Sequence, residues 1–114
     1  MDTFQALADP VRRTLVEQLA QVGESPAGVL ADLARERFGI SQPTTSKHLK
    51  VLREAGVVTT STDAQRRIYR LDPRPLAEMA SWASRQATFW NDRLDALEVH
   101  LRPDPSSHAR KEQP

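Results

Sequence analysis

The amino-acid sequence predicts a mainly α fold with one small β-hairpin. Three observations lead to it. Residues 39–58 (GISQPTTSKHLKVLREAGVV) spell a capped helix with a polar, cationic face. A short β-branched run, a polar turn and an RRIYRL run follow. A seven-residue apolar repeat then continues without a break from Leu76 to Leu101.

The elements are justified in chain order. Residues 3–8 read as a short helix with Phe4, Leu7 and Ala8 on one face. Asp9-Pro10 is an N-cap followed by a proline at the first helical position, so a second helix starts there. Val11, Leu15, Leu19 and Val22 recur at helical spacing, and Gly23 ends the helix. Ser25-Pro26 repeats the cap-then-proline signal. The third helix, at 27–37, turns Leu30, Leu33 and Ala34 inward, and Phe38 and Ile40 close the turn.

Gly39 supplies a tight turn and Ser41 is a good N-cap. Pro43 falls in the first turn, where its missing N–H costs nothing. The fourth helix, at 42–55, is stopped by Gly56 as a left-handed C-cap. Ser46, Leu49, Leu52 and Val57 are expected to face a core, and Val51 to pack against the preceding helix. Residues 57–61 and 67–71 read as two strands around a turn at 62–66 that lacks an Asn-Gly signal. Asp72-Pro73 and Pro75 break the second strand and open a last helix, at 75–101.

On that helix Leu76, Ala80, Ala83, Ala87, Trp90, Leu94, Leu97 and Leu101 alternate spacings of four and three, the signature of a coiled-coil seam. Met79, Trp82 and Phe89 widen it. Such a seam either packs back on its own domain or pairs with a partner. The favoured reading is a homodimer about a two-fold axis, with Phe4, Leu7 and Ala8 joining the interface. From Pro103 the periodicity dissolves among prolines and serines, so one domain at 1–102 and a disordered tail at 103–114 are expected.

Charge points to a partner. The net balance over 114 residues is only +1. Residues 41–70, however, hold six basic and two acidic side chains, while the segments on either side are slightly acidic. A local basic surplus on the reading segment is the footprint of a nucleic-acid partner. Ser41, Gln42, Thr44 and Thr45 lie near the start of the fourth helix, where base edges are met first. Lys47, His48 and Lys50 are assigned to phosphates. In the hairpin, Arg66 and Arg67 suit phosphates or the minor groove. They equally suit an edge strand blunted by charge. Tyr69 reads as a half-buried strand residue, and Arg12 and Arg13 as local ion pairs with Asp9 or a solvated face.

Other classes find little support. With no cysteine there is no disulfide and no thiolate chemistry. His48, His100 and His108 are far apart, so no metal or other cofactor is expected. No phosphate loop or nucleophile motif suggests an enzyme. No apolar run reaches the ~18–20 residues that span a bilayer. The first residues carry no secretory pattern, so a cytoplasmic protein without membrane contact is expected.

These pieces together resemble the ArsR-type family of bacterial winged helix-turn-helix repressors. The resemblance covers about residues 4–101 and rests on FQALADPVRRTLVEQL, SQPTTSKHLKVLREAGVV, RRIYRLDP and FWNDRLDALEVHL. It implies a winged helix-turn-helix with four helices, a hairpin and a fifth helix, dimerising through its terminal helices. It also implies a homodimeric repressor of a palindromic double-stranded operator, often its own, in the metal-independent subgroup. The implied interface is Phe4, Leu7, Leu76, Ala83, Ala87, Trp90, Leu94, Leu97 and Leu101. Two departures stand out. ADLARERFGIS is one residue longer than the commonest family pattern, which implies a looser turn, and the hairpin tip TDAQR lacks the usual glycine. Two further readings remain. One is a repressor that senses a small apolar effector near Trp82, Phe89 and Trp90; the other is a winged module that docks another protein.

Overall fold

A computed structural model describes residues 1–101. The tail expected at 103–114 lies outside the described residues. The elements run α1 (Thr3–Leu7), α2 (Pro10–Val22), β1 (Glu24–Pro26), α3 (Ala27–Phe38), α4 (Gln42–Glu54), β2 (Val58–Asp63), β3 (Arg66–Leu71) and α5 (Pro73–Leu101). One compact unit covers Met1–Met79, and a second begins at Ala80.

Local chemistry starts and stops the helices much as expected. Asp2 and Gln5 form a capping box on α1. The Asp9 carboxylate caps α2 by accepting from the Arg12 N–H at 3.0 Å, with Pro10 in the first turn. The end of α4 is a Schellman motif. Val57 N–H donates to the Leu52 carbonyl and Gly56 N–H to that of Arg53, both at 3.0 Å, with Gly56 at φ 79°. Leu52 and Val57, the apolar pair that accompanies such a motif, are both fully buried.

The segment between α2 and α3 differs from expectation. Ser25 does not cap α3. It lies in β1, opposite Tyr69, and Pro26 precedes α3 without a side-chain cap. The reason is long-range: pairing to a strand over 40 residues later uses the extended backbone that a cap would also use. Proline is tolerated because β1 is an edge strand. The sheet therefore has three antiparallel strands in the order β1-β3-β2, not a hairpin alone. β3 is its centre over Ile68–Arg70, where β1 joins it, whereas Arg66 and Arg67 pair with β2 alone and keep the open edge expected of them. Glu24 pairs its carboxylate with Arg70 across the β1–β3 ladder.

The core of the first unit gathers Ala6, Leu15, Val16, Leu19, Leu30, Leu49, Leu52, Val57, Val58 and Tyr69. Tyr69 is buried rather than half-buried. Leu7 and Leu76, expected in an intermolecular seam, pack against this core, as does Val51. Val22, on the apolar row of α2, and Phe38, at the turn after α3, are exposed.

Asp72 ties β3 to α5. Its N–H donates to the Val57 carbonyl at 2.8 Å, and its carboxylate accepts from the Arg74 backbone N–H and from the guanidinium at 3.0 and 2.7 Å. These hydrogen bonds hold the carboxyl well below the ordinary range, at about 2. In the second unit no residue of α5 is buried. Trp90, Leu97 and Leu101 are 59%, 52% and 71% exposed in the single chain. No helix among the described residues is long and apolar enough to cross a membrane.

Candidate nucleic-acid interface

The site starts at the turn between α3 and α4. Gly39 takes a left-handed conformation at φ 68°, which glycine adopts without a Cβ penalty. α3 runs on to Phe38, so the turn is only residues 39–41. Ser41 then caps α4. Its Oγ accepts from the Thr44 N–H at 3.3 Å and donates to Thr44 Oγ1 at 3.1 Å. Ser41 and Thr44 are thus exposed but partly engaged with each other.

Thr45 is corrected. It is 1% exposed, and its Oγ1 donates to the Ser41 carbonyl at 3.0 Å. A side chain so placed cannot reach a base. Ser46, expected in the core, is exposed instead. Thr45, Leu49 and Leu52 form the inward stripe, spaced four and three apart. The stripe is offset by one residue because Thr45 buries its methyl group while its hydroxyl finds a backbone acceptor, which removes the usual penalty of burying a polar group.

That offset defines the outer face. Lys47 and Lys50 are exposed on it, and Gln42 is exposed in the first turn, at the head of the Thr45-Leu49-Leu52 row. Among the described residues no carboxylate lies within ion-pair range of Lys47, Lys50 or Arg67. Cations without an internal partner keep their charge for an external one. His48 differs from the lysines. It is half-buried, with Nδ1 3.4 Å from an Arg12 nitrogen and 3.7 Å from the Asp9 carboxylate. Its Nδ1 faces Arg12 and Asp9, so His48 anchors α4 through that atom, and only Nε2 is left for the phosphate contact expected from the sequence.

The hairpin tip is a two-residue turn, Ala64-Gln65, closed by the pair Asp63 and Arg66. Ala64 holds φ 57°, the left-handed region that the missing glycine would have occupied without strain. Arg66 is paired with Asp63 at 3.4 Å. An open groove of about 490 Å³ runs between Gln42 on α4, the wing residues Gln65, Arg66 and Arg67, and the first turn of α3 at Ala27 and Gly28. The groove joins the helix to the wing, and no local pattern foretold it. Arg12 was also set aside by its sequence context, because its contact with His48 spans 36 residues. Among the described residues no three metal-ligating side chains come together.

Comparison with known proteins follows the same lines. Residues 7–61 match a family described as a helix-turn-helix domain. The HTH-type transcriptional regulator Rv2034 of Mycobacterium tuberculosis is 42% identical over 91 residues, spanning 80% of this chain and 78% of its own. The transcriptional repressor SdpR of Bacillus subtilis is 33% identical over 81 residues, spanning 71% and 84%. Among solved structures, an ArsR family transcriptional regulator superposes with a TM-score of 0.66 at 27% identity, covering 77% of this chain and 86% of that one.

Proposed function

The chain belongs to the ArsR-type family of winged helix-turn-helix transcriptional regulators, and from that premise we propose that it is a homodimeric repressor of a palindromic operator. Its relatives are DNA-binding transcriptional regulators, a family without enzymatic activity. The observation that carries the site assignment is the exposed side of α4, with Gln42 in the first turn and Lys47 and Lys50 opposite a buried Thr45-Leu49-Leu52 stripe.

Gln42 is assigned to base edges, where its amide can bond adenine bidentately. Lys47, Lys50 and Arg67 are assigned to phosphates, and Arg66 to the backbone beside the groove once it leaves Asp63. Ser41 and Thr44 offer hydroxyls near the helix start.

Dimerisation is supported by the apolar row of α5. Trp90, Leu94, Leu97 and Leu101 keep their heptad spacing and are all exposed in the single chain. A contiguous apolar row of this length is seldom left to water. Ala83, Ala87 and Phe4 are assigned to the same interface, whereas Leu7 and Leu76 serve the chain's own core. Two reading helices then enter successive major grooves about 34–36 Å apart. A cytoplasmic location accompanies this reading.

The test pairs two measurements. Fluorescence anisotropy with the DNA upstream of the coding region, against random DNA, should show preferential binding that weakens with salt. Sedimentation should give a dimer, and Leu94→Glu should yield monomers with much weaker operator binding. A monomeric wild type that binds the upstream DNA at full affinity would overturn the dimer. Equal affinity for all DNA would overturn the operator.

A further inference from the structure

Arg12 lies half-buried in the second helix and reaches in three directions. Its Nε donates to the Ala6 carbonyl at 2.7 Å, and Nη2 donates to the Gln5 carbonyl at 3.2 Å, both at the end of α1. Its Nη1 lies 3.4 Å from His48 Nδ1 on α4. Its own backbone N–H is held by Asp9, whose Oδ2 also lies 3.7 Å from His48 Nδ1. A guanidinium only donates, so in the contact with Arg12 the His48 Nδ1 is the acceptor. One cation therefore joins α1, α2 and α4.

We infer that Arg12 is a positioning residue for DNA reading, acting through His48 to set the orientation of α4. The inference rests on the DNA-binding function proposed above. An apolar stripe such as Thr45, Leu49 and Leu52 fixes how deeply a helix sits, because the hydrophobic effect is non-directional. It resists rotation about the helix axis less well. His48 lies at the edge of that stripe, half-buried, and a directional bond there opposes rotation. Recognition tolerates misplacement of only about 0.5 Å. Arg12 does not act as a phosphate contact in this scheme, because its nitrogens are engaged with α1 and His48.

The test compares Arg12→Ala, His48→Leu, His48→Asn and the Arg12→Ala/His48→Leu double variant. Affinity for the upstream DNA is measured across a salt series, with Tm recorded for each protein. The two single variants should each weaken binding about three- to tenfold, and the double variant no more than either alone. The salt slope should stay at its wild-type value. His48→Asn, whose Oδ1 takes the acceptor's place, should bind within about twofold of wild type, while His48→Leu does not.

Multiplying losses would overturn the inference, as would Asn behaving like Leu. So would a salt slope that falls by about one per protomer in Arg12→Ala, the mark of a direct phosphate contact. If Arg12→Ala melts near the assay temperature, the two His48 variants decide, since they leave the α1 carbonyls paired. A wild type that fails to bind DNA removes the premise itself. Normal wild-type binding with uncoupled variants removes only the positioning role.

Discussion

Replacing Lys47 with alanine changes how DNA affinity depends on salt, and the size of the change follows from the ion pairs. Lys47, Lys50 and Arg67 are exposed and have no carboxylate within ion-pair range among the described residues. Arg66 and Arg70 are partnered by Asp63 and Glu24. The proposed dimer would thus bring about six unpartnered cations to the phosphates. Each neutralised phosphate contributes roughly −0.9 to the slope of log affinity against log salt, so the wild-type slope is about −5.4. A fourfold rise in salt then lowers affinity on the order of a thousandfold. Lys47→Ala removes two of the six contacts and reduces the slope to about −3.6. Its deficit relative to wild type should therefore shrink about tenfold between 50 and 200 mM salt. Alanine is an excellent helix former, so α4 is preserved. Fluorescence anisotropy on upstream and random DNA measures both slopes, and the loss should be equal for the two. An unchanged slope, or a loss confined to the upstream DNA, would refute the assignment of Lys47 to phosphate. A slope change of only about 0.9 would mean that one protomer binds, and would refute the dimer.

Three further outcomes are expected. Thr45→Val should lower Tm, because it deletes the hydroxyl donated to the Ser41 carbonyl, while leaving sequence preference intact. Gln42→Ala should do the reverse, and a binding-site selection experiment distinguishes them; a changed preference in Thr45→Val would contradict its burial. Ala64→Gly relieves a left-handed backbone that costs an L-residue roughly 1–2 kcal/mol, offset by the extra freedom of glycine in the unfolded chain. A net stabilisation of up to about 1 kcal/mol, a rise of several degrees in Tm, is expected, and a fall would show that the tip is not strained. Asp72 is held at about 2 in the fold against an ordinary 3.8, so its contribution is present above that ordinary value and is lost as pH falls towards 2. Asp72→Asn should flatten this part of the urea-midpoint profile between pH 4.5 and 2; an unchanged profile would place the acid sensitivity elsewhere.

Much of this protein is legible in its local sequence. Asp9-Pro10, Ser41 with Pro43, and the pair Gly39 and Gly56 mark helix ends because capping uses side chains within three or four residues of the bond they satisfy. The cationic run on α4 and the seven-residue repeat of α5 are likewise written in spacing alone, and together with FQALADPVRRTLVEQL and RRIYRLDP they carry the resemblance to the family. Three matters needed the tertiary structure. Ser25 could cap a helix or enter a strand, and pairing with Tyr69 chose the strand. Thr45 and Ser46 are both small hydroxyl residues, and only the position of α4 over Leu49 and Leu52 decided which one turned inward. Arg12 and His48 are ordinary polar residues until two helices bring them to 3.4 Å. Caps and periodicity depend on near neighbours, so sequence by itself determined the five helices, the hairpin and the kind of partner, but not β1. Burial and long-range hydrogen bonds depend on residues far apart in the chain, so only the folded structure decided which side chains of α4 stand exposed.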